Sequence, residues 1–294
     1  MEHLQYFWLV LLGLGTGTLG TLIGAGGGFI LMPILLLAPP VLLKMLFPGG
    51  LGDSSKAAWM LRSVSLAVVC CNASSGTFWY ARMKRVDFKS GILFLLTGCP
   101  GAVLGAVLGG YIPEQPFRLG FGLMMIAGAV YIFRKTFGAA RQQRELRPTM
   151  TRSMVDSDGV AYVYRYNLAL GMTLSFFIGV LSSVAGIGGG IIHVPAMVSL
   201  LDFPVYFATA TSQFILAVMT FVATVFHLFD GSLVKADLVG VAVLAVGAMV
   251  GARLGALLSR RLNAQWIMRI LSIALAVAGE EVLRKAITGL LTQG

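Results

Sequence analysis

Long apolar stretches alternate with short polar ones along almost the whole chain. Runs long enough to cross a bilayer as helices, about 17 to 25 residues, lie near 4–23, 57–80, 88–110, 117–137, 166–185, 207–229, 236–258 and 266–288. Two shorter or proline-interrupted runs, near 29–47 and 191–201, each follow a cluster of glycines. The run after Met1-Glu2-His3 has no basic start and no small-residue cleavage pattern, so it reads as a retained span rather than a secretory signal.

The two glycine clusters repeat one pattern. Gly24-Ala25-Gly26-Gly27-Gly28 is followed by four residues and Pro33, and Gly186-Ile187-Gly188-Gly189-Gly190 by four residues and Pro195. Another glycine, Gly17 or Gly179, precedes each cluster by seven residues. Later in each half comes a row spaced by four: Gly101, Gly105, Gly109, and Gly247, Gly251, Gly255. Such rows let helices approach closely in lipid, either inside one chain or between two copies in a homodimer. A polar start precedes each row, Val86-Asp87 in one half and Lys235-Ala236-Asp237 in the other. The chain therefore divides into a first repeat at 1–137, a basic linker at 138–165 and a second repeat at 166–294.

Composition strengthens the membrane reading. Apolar residues make up 57% of the chain and charged ones 12%, about half the usual charged share, and mean hydropathy is +0.86. The net charge of +10 comes from short clusters between apolar runs, such as Arg82, Lys84, Arg85 and Lys89. Cytoplasmic loops have that character, whereas nucleic-acid binding needs a continuous basic face. Cys70, Cys71 and Cys99 lie within apolar runs and read as packing residues. No metal-ligand spacing or cofactor motif stands out, and no paired carboxylates or nucleophile with a base suggest an enzyme.

The basic clusters set an orientation. The cluster in the 80s, the linker with Arg141, Arg144, Arg147, Arg152 and Arg165, and the turn with Arg260 and Arg261 are all expected in the cytoplasm, with both termini outside. Each half then crosses an odd net number of times, so the halves are inverted. The expected fold is an all-α polytopic membrane protein of two inverted-topology repeats. Each has about five segments, for about 8–10 transmembrane segments in all, and each holds a glycine-broken helix or a re-entrant hairpin.

The broken segments suggest chemistry. Four glycines in five residues disfavour continuous helix, by about 1 kcal/mol each against alanine. The helices restarting at Phe29 and Ile191 carry unpaired leading N–H groups with partial positive charge. Gly26, Gly27, Gly28, Gly188, Gly189 and Gly190 could thus hold a small anion from both sides. His193, one turn into the second restarted helix, could bind an oxyanion or take a coupling proton. Arg62 is a candidate anion partner, with Ser63 beside it. Thr211, Ser212 and Gln213, with Thr209, could line a cavity in the second half. Arg253 sits within a glycine row, and Asn72, Ser74 and Ser75 form a further polar spot. Glu280 and Glu281 pair with Arg284 and Lys285 at helical spacing, and His227 with Asp230 ends a span at the interface.

The doubled G-x-G-G-G-x-x-x-x-P, the Ala208-Thr209-Ala210-Thr211-Ser212 stretch and Gly251-Ala252-Arg253-Leu254-Gly255 resemble the TauE/SafE family of membrane proteins. The resemblance covers the chain outside 138–165. It implies export of a small sulfur oxyanion, such as sulfite, sulfoacetate or another organosulfonate, across a bacterial inner membrane, with the glycines and the Thr/Ser stretch at the site. A passive anion channel or a permease for another small anion is the alternative.

Overall fold

The computed structural model describes residues 2–37, 54–108, 114–137, 148–185, 188–229 and 238–291. Gly109, Gly186, Ile187, Asp230, Lys235, Ala236, Asp237, Arg141, Arg144 and Arg147 fall outside them, as does the later part of the 29–47 run.

Ten helices lie among the described residues: α1 (Glu2–Leu22), α2 (Gly28–Leu37), α3 (Ser54–Arg82), α4 (Phe88–Leu108), α5 (Glu114–Phe137), α6 (Leu168–Ala185), α7 (Gly190–Leu200), α8 (Val205–Phe229), α9 (Leu238–Arg261) and α10 (Ala264–Leu291). They follow the apolar runs closely. Of the described helices, α4, α6, α8 and α9 are long and apolar enough to cross a membrane. Large apolar side chains such as Phe7, Trp8, Leu96, Phe177, Phe221 and Ile273 stand exposed, more apolar surface than a water-soluble monomer presents. The protein is a multi-pass membrane protein.

One element departs from an all-helical chain. Within the linker, β1 (Met150–Val155) and β2 (Ala161–Tyr166) form an antiparallel hairpin, with Met150 opposite Tyr166 and Val155 opposite Ala161. Asp156 closes its turn, accepting the N–H of Asp158 at 2.9 Å and of Val160 at 3.1 Å.

The helices pair across the two halves. α1 packs on α9 and α6 on α4, while α3 crosses α8 and α5 lies on α10. Exchanging the halves maps this set of pairs onto itself. The glycine rows make the swapped pairs: a Cβ on Gly247, Gly251 or Gly255 would strike the carbonyls of Val10, Leu14 and Thr18, and one on Gly101 or Gly105 those of Phe176 and Val180. Both contacts advance in the same direction along each helix, so α1 runs parallel to α9 and α6 to α4. The rows thus serve internal contacts. Gly251→Leu is expected to destroy the α1–α9 seam, since its Cβ would also meet Thr18 N at 2.8 Å. Backbone cannot yield as a side chain can, so folded protein should be lost, read as aggregation on size-exclusion chromatography after detergent extraction.

The breaks between helices are local and explicable. α3 ends where Lys84 takes a left-handed φ of 55° and the Arg85 N–H reaches back to Tyr80 O at 3.1 Å. α4 starts with Asp87 as its cap, accepting the Ser90 N–H at 3.1 Å. α6 and α7 fold back on each other: Gly189 lies against Ser182, His193 bonds Ser175, and the rings of Tyr166 and Phe203 at the two open ends are 4.9 Å apart. Elsewhere, Glu281 holds Arg284 at 2.7 Å and Lys285 at 3.4 Å. Arg253 is exposed over the Trp79 ring at 4.6 Å. His227, in the last turn of α8, is buried at 1% exposure.

Candidate functional site

Both glycine clusters interrupt the helical ladder. Gly24, Gly26 and Gly27 have φ of 76°, 73° and 80°, and Gly188 and Gly189 have 83° and 77°. Only glycine enters that region without strain. The first cluster folds onto the end of α1, whose Gly20 carbonyl accepts the N–H of Ala25 at 2.7 Å and of Gly26 at 3.0 Å. Helix α2 then starts at Gly28 and α7 at Gly190, each with leading N–H groups beyond reach of any intrahelical acceptor.

The clusters meet inside the protein. A Cβ on Gly190 would lie 2.7 Å from Ala25 Cα and from Gly24 O. Gly26 and Gly188 both face Val69 of α3 and Leu216 of α8, where these helices cross. All are buried. The turns touch backbone to backbone at Gly190, so a guest would sit beside this junction rather than between Gly190 and Ala25.

The other sequence candidates divide. Ser212 and Gln213 come to the first turn: Ser212 Oγ donates to Gly24 O at 3.0 Å and Gln213 Nε2 to Gly20 O at 3.1 Å. Thr211 instead accepts the Asp87 N–H at 3.0 Å, fixing the start of α4. Thr209 bonds back to Tyr206 O at 3.0 Å. His193 Nε2 lies 2.9 Å from Ser175 Oγ within the α6–α7 pair. Arg62 and Ser63 are buried on α3, about two helical turns before Val69. Asn72 joins Thr21, whose hydroxyl donates to Asn72 Oδ1 at 3.3 Å. Cys70 packs at the α3–α8 crossing, with Sγ 3.8 Å from Ala217 O.

The sequence reading missed a second polar centre, where the linker hairpin docks. Asp87 Oδ2 accepts Tyr164 OH at 2.8 Å and Ser90 Oγ, and lies 3.6 Å from Arg152 Nε. Ser90 Oγ is 2.7 Å from Tyr166 OH. Burial first, then the negative charge of Asp87, pushes the Tyr164 phenol up, so it stays a proton donor. Beside it, Arg85 lies 3.5 Å from both Asp156 and Asp158, and Asp158 also pairs with Arg260. Arg85 belongs to the first half and Arg260 to the second, so the hairpin bridges both. The signal was legible in Tyr162, Tyr164 and Tyr166, which alternate as a half-buried strand does, and in the Asp158-Gly159 turn.

A cleft of about 340 Å³ opens between α5, α7 and α10, lined by apolar groups such as Met125, Ile132, Ile192 and Leu275. It contains none of the glycine-turn residues.

A family profile described as "Sulfite exporter TauE/SafE" matches residues 9–281. "Probable membrane transporter protein YunE" of Bacillus subtilis is 31% identical over 284 residues, covering 97% of this chain and 99% of its own. A "Probable membrane transporter protein" of Xylella fastidiosa is 27% identical over 246 residues, 83% of this chain and 80% of its own. One of Methanocaldococcus jannaschii is 24% identical over 281 residues, 92% of each chain. No solved structure matches the chain.

Proposed function

The chain belongs to the sulfite exporter TauE/SafE family of membrane transporters, and on that footing we propose that it is a secondary transporter of a small sulfur-containing anion, sulfite or an organosulfonate such as sulfoacetate. The meeting of two glycine-broken turns at the α3–α8 crossing carries the reading. Two helix N-termini and left-handed glycine backbone converge there with Ser212 and Gln213, in a setting where an anion has no water to fall back on.

The two repeats are inverted. α1 runs parallel to α9, whose Arg260 end lies at the hairpin, and α6 runs parallel to α4, which starts there at Asp87. The equivalent first helices of the two halves therefore run in opposite senses, the plan of carriers that rock between two open states. The arginine-rich hairpin face is cytoplasmic in a bacterial inner membrane. Its Arg85–Asp156 and Asp158–Arg260 contacts close that side, and export begins when they part.

Flux of sulfite, sulfate, sulfoacetate, taurine and phosphate into proteoliposomes, with and without a proton gradient, tests the reading. Flux of at least one sulfur anion, driven uphill when protons are supplied, is expected. Flux that only runs down its gradient would make the protein a channel, and none for any sulfur anion would remove the substrate class.

A further inference from the structure

A polar cluster lies behind the first glycine turn. Thr21 of α1, Asn72 of α3 and Gln213 of α8 converge there, at 0%, 1% and 0% exposure. One end of each amide is used, Asn72 Oδ1 by Thr21 and Gln213 Nε2 by Gly20 O. The other ends, Asn72 Nδ2 and Gln213 Oε1, are buried without a partner. A Cβ on Gly76 would lie 3.0 Å from Thr21 Cγ2 and 3.3 Å from both Gln213 Oε1 and Thr21 Oγ1, so glycine there keeps the α3 face clear of both oxygens. Stranding a buried donor and a buried acceptor is unfavourable, and a protein core surrounded by lipid has no bulk water to relieve it.

The fold does not require this cluster. Gly26 meets Leu216 first and Gly188 meets Val69 first, so Val69 and Leu216 are equivalent positions of the two halves. Counting from them, Asn72 corresponds to Met219 and Gln213 to Leu66. Both are apolar and buried, at 2% and 1% exposure. The symmetry-related place behind the second turn thus holds Leu66 of α3 and Met219 of α8 where the first has its two amides.

We propose that Thr21, Asn72 and Gln213 form a guest-binding subsite that selects anions carrying a hydrogen-bond donor of their own. Asn72 Nδ2 donates to the guest's oxygens, while Gln213 Oε1 accepts from the guest's own donor; the Thr21 proton is already given to Asn72 Oδ1. The class is a sulfonate with a hydroxyl or amino group, or a singly protonated oxyanion. A fully deprotonated dianion would set its oxygens against Gln213 Oε1. The inference rests on the proposed transport of small sulfur anions and names which of them are preferred.

The test compares isethionate with propanesulfonate, which have the same charge and nearly the same shape but differ in the hydroxyl. Wild-type protein in proteoliposomes should carry isethionate at least about tenfold faster, because a site built to bond a hydroxyl rejects the analogue lacking it. Gln213→Leu should bring the ratio towards one, while Asn72→Leu, which removes a donor to oxygens both anions carry, should lower both fluxes and leave the ratio near the wild-type value. If Gln213→Leu does not survive purification, Gln213→Met, closer in shape to glutamine and without the amide oxygen, carries the test with the wild-type ratio. Equal wild-type rates, or a ratio unchanged in the Gln213 variant, would overturn the subsite and leave the transport reading standing. Absence of any sulfur-anion flux would remove the transport reading and this inference with it.

Discussion

Gly190→Ala is expected to cut transport at least tenfold while the protein still folds. Gly190 opens α7 without a left-handed φ, so alanine adds no backbone strain there. The new methyl would lie 2.7 Å from Ala25 Cα and Gly24 O and 2.9 Å from Ala25 C, all backbone atoms of the opposite turn. Inserting one methyl into close-packed backbone costs about 1–3 kcal/mol, taken up here by moving the turns apart. Gly188→Ala and Gly189→Ala differ in kind, because φ of 83° and 77° adds about 1–2 kcal/mol of backbone strain. Flux in proteoliposomes, read beside the melting temperature in detergent, separates these cases. Wild-type flux from Gly190→Ala would show that the junction is only a packing contact.

Asp87→Ala is expected to release the linker hairpin. Asp87 is 3% exposed and receives Tyr164, Ser90 and the nearby Arg152 guanidinium. Removing one partner of a buried pair costs about 3–5 kcal/mol. Arg152 keeps some solvent contact, at 18% side-chain exposure, so about 2–3 kcal/mol is the expected loss here. Trypsin cleavage after Arg152 and Arg165 in inside-out vesicles should then rise at least tenfold. An unchanged cleavage rate would place the hold of the hairpin in the ring contacts of Tyr164 and Tyr166 with Phe203, at 4.6 Å and 4.9 Å, rather than in Asp87.

Helix positions were readable because lipid makes each span declare itself by hydropathy. The broken turns were readable because four glycines in five residues leave continuous helix little to gain. Other features depended on which faces meet. Thr211, Ser212 and Gln213 are consecutive, yet Thr211 accepts the N–H of Asp87 at the start of α4 while its neighbours reach the first turn. Consecutive helical residues point about 100° apart, so a stretch of polar residues does not name one site. His193 was aimed from its distance to Gly190, but the fold-back of α7 on α6 gives it Ser175 as a partner. The hairpin is masked in the sequence because the arginines of its polar stretch outweigh the alternation of Tyr162, Tyr164 and Tyr166.

The swapped pairing of α1 with α9 also bears on how the chain is made. The partner of α1 is synthesised some two hundred residues after it, so α1 must wait in the bilayer with its glycine face uncovered. Its hydroxyls are suited to that delay: Thr16 donates to Leu12 O at 2.8 Å and Thr18 to Leu14 O at 2.7 Å, both within the helix. The Thr16 and Thr18 hydroxyls of a nascent α1 are therefore satisfied within the helix while its glycine face is uncovered. Its seam closes late in biogenesis, and a chain stopped before α9 leaves the glycine face of the first helix uncovered.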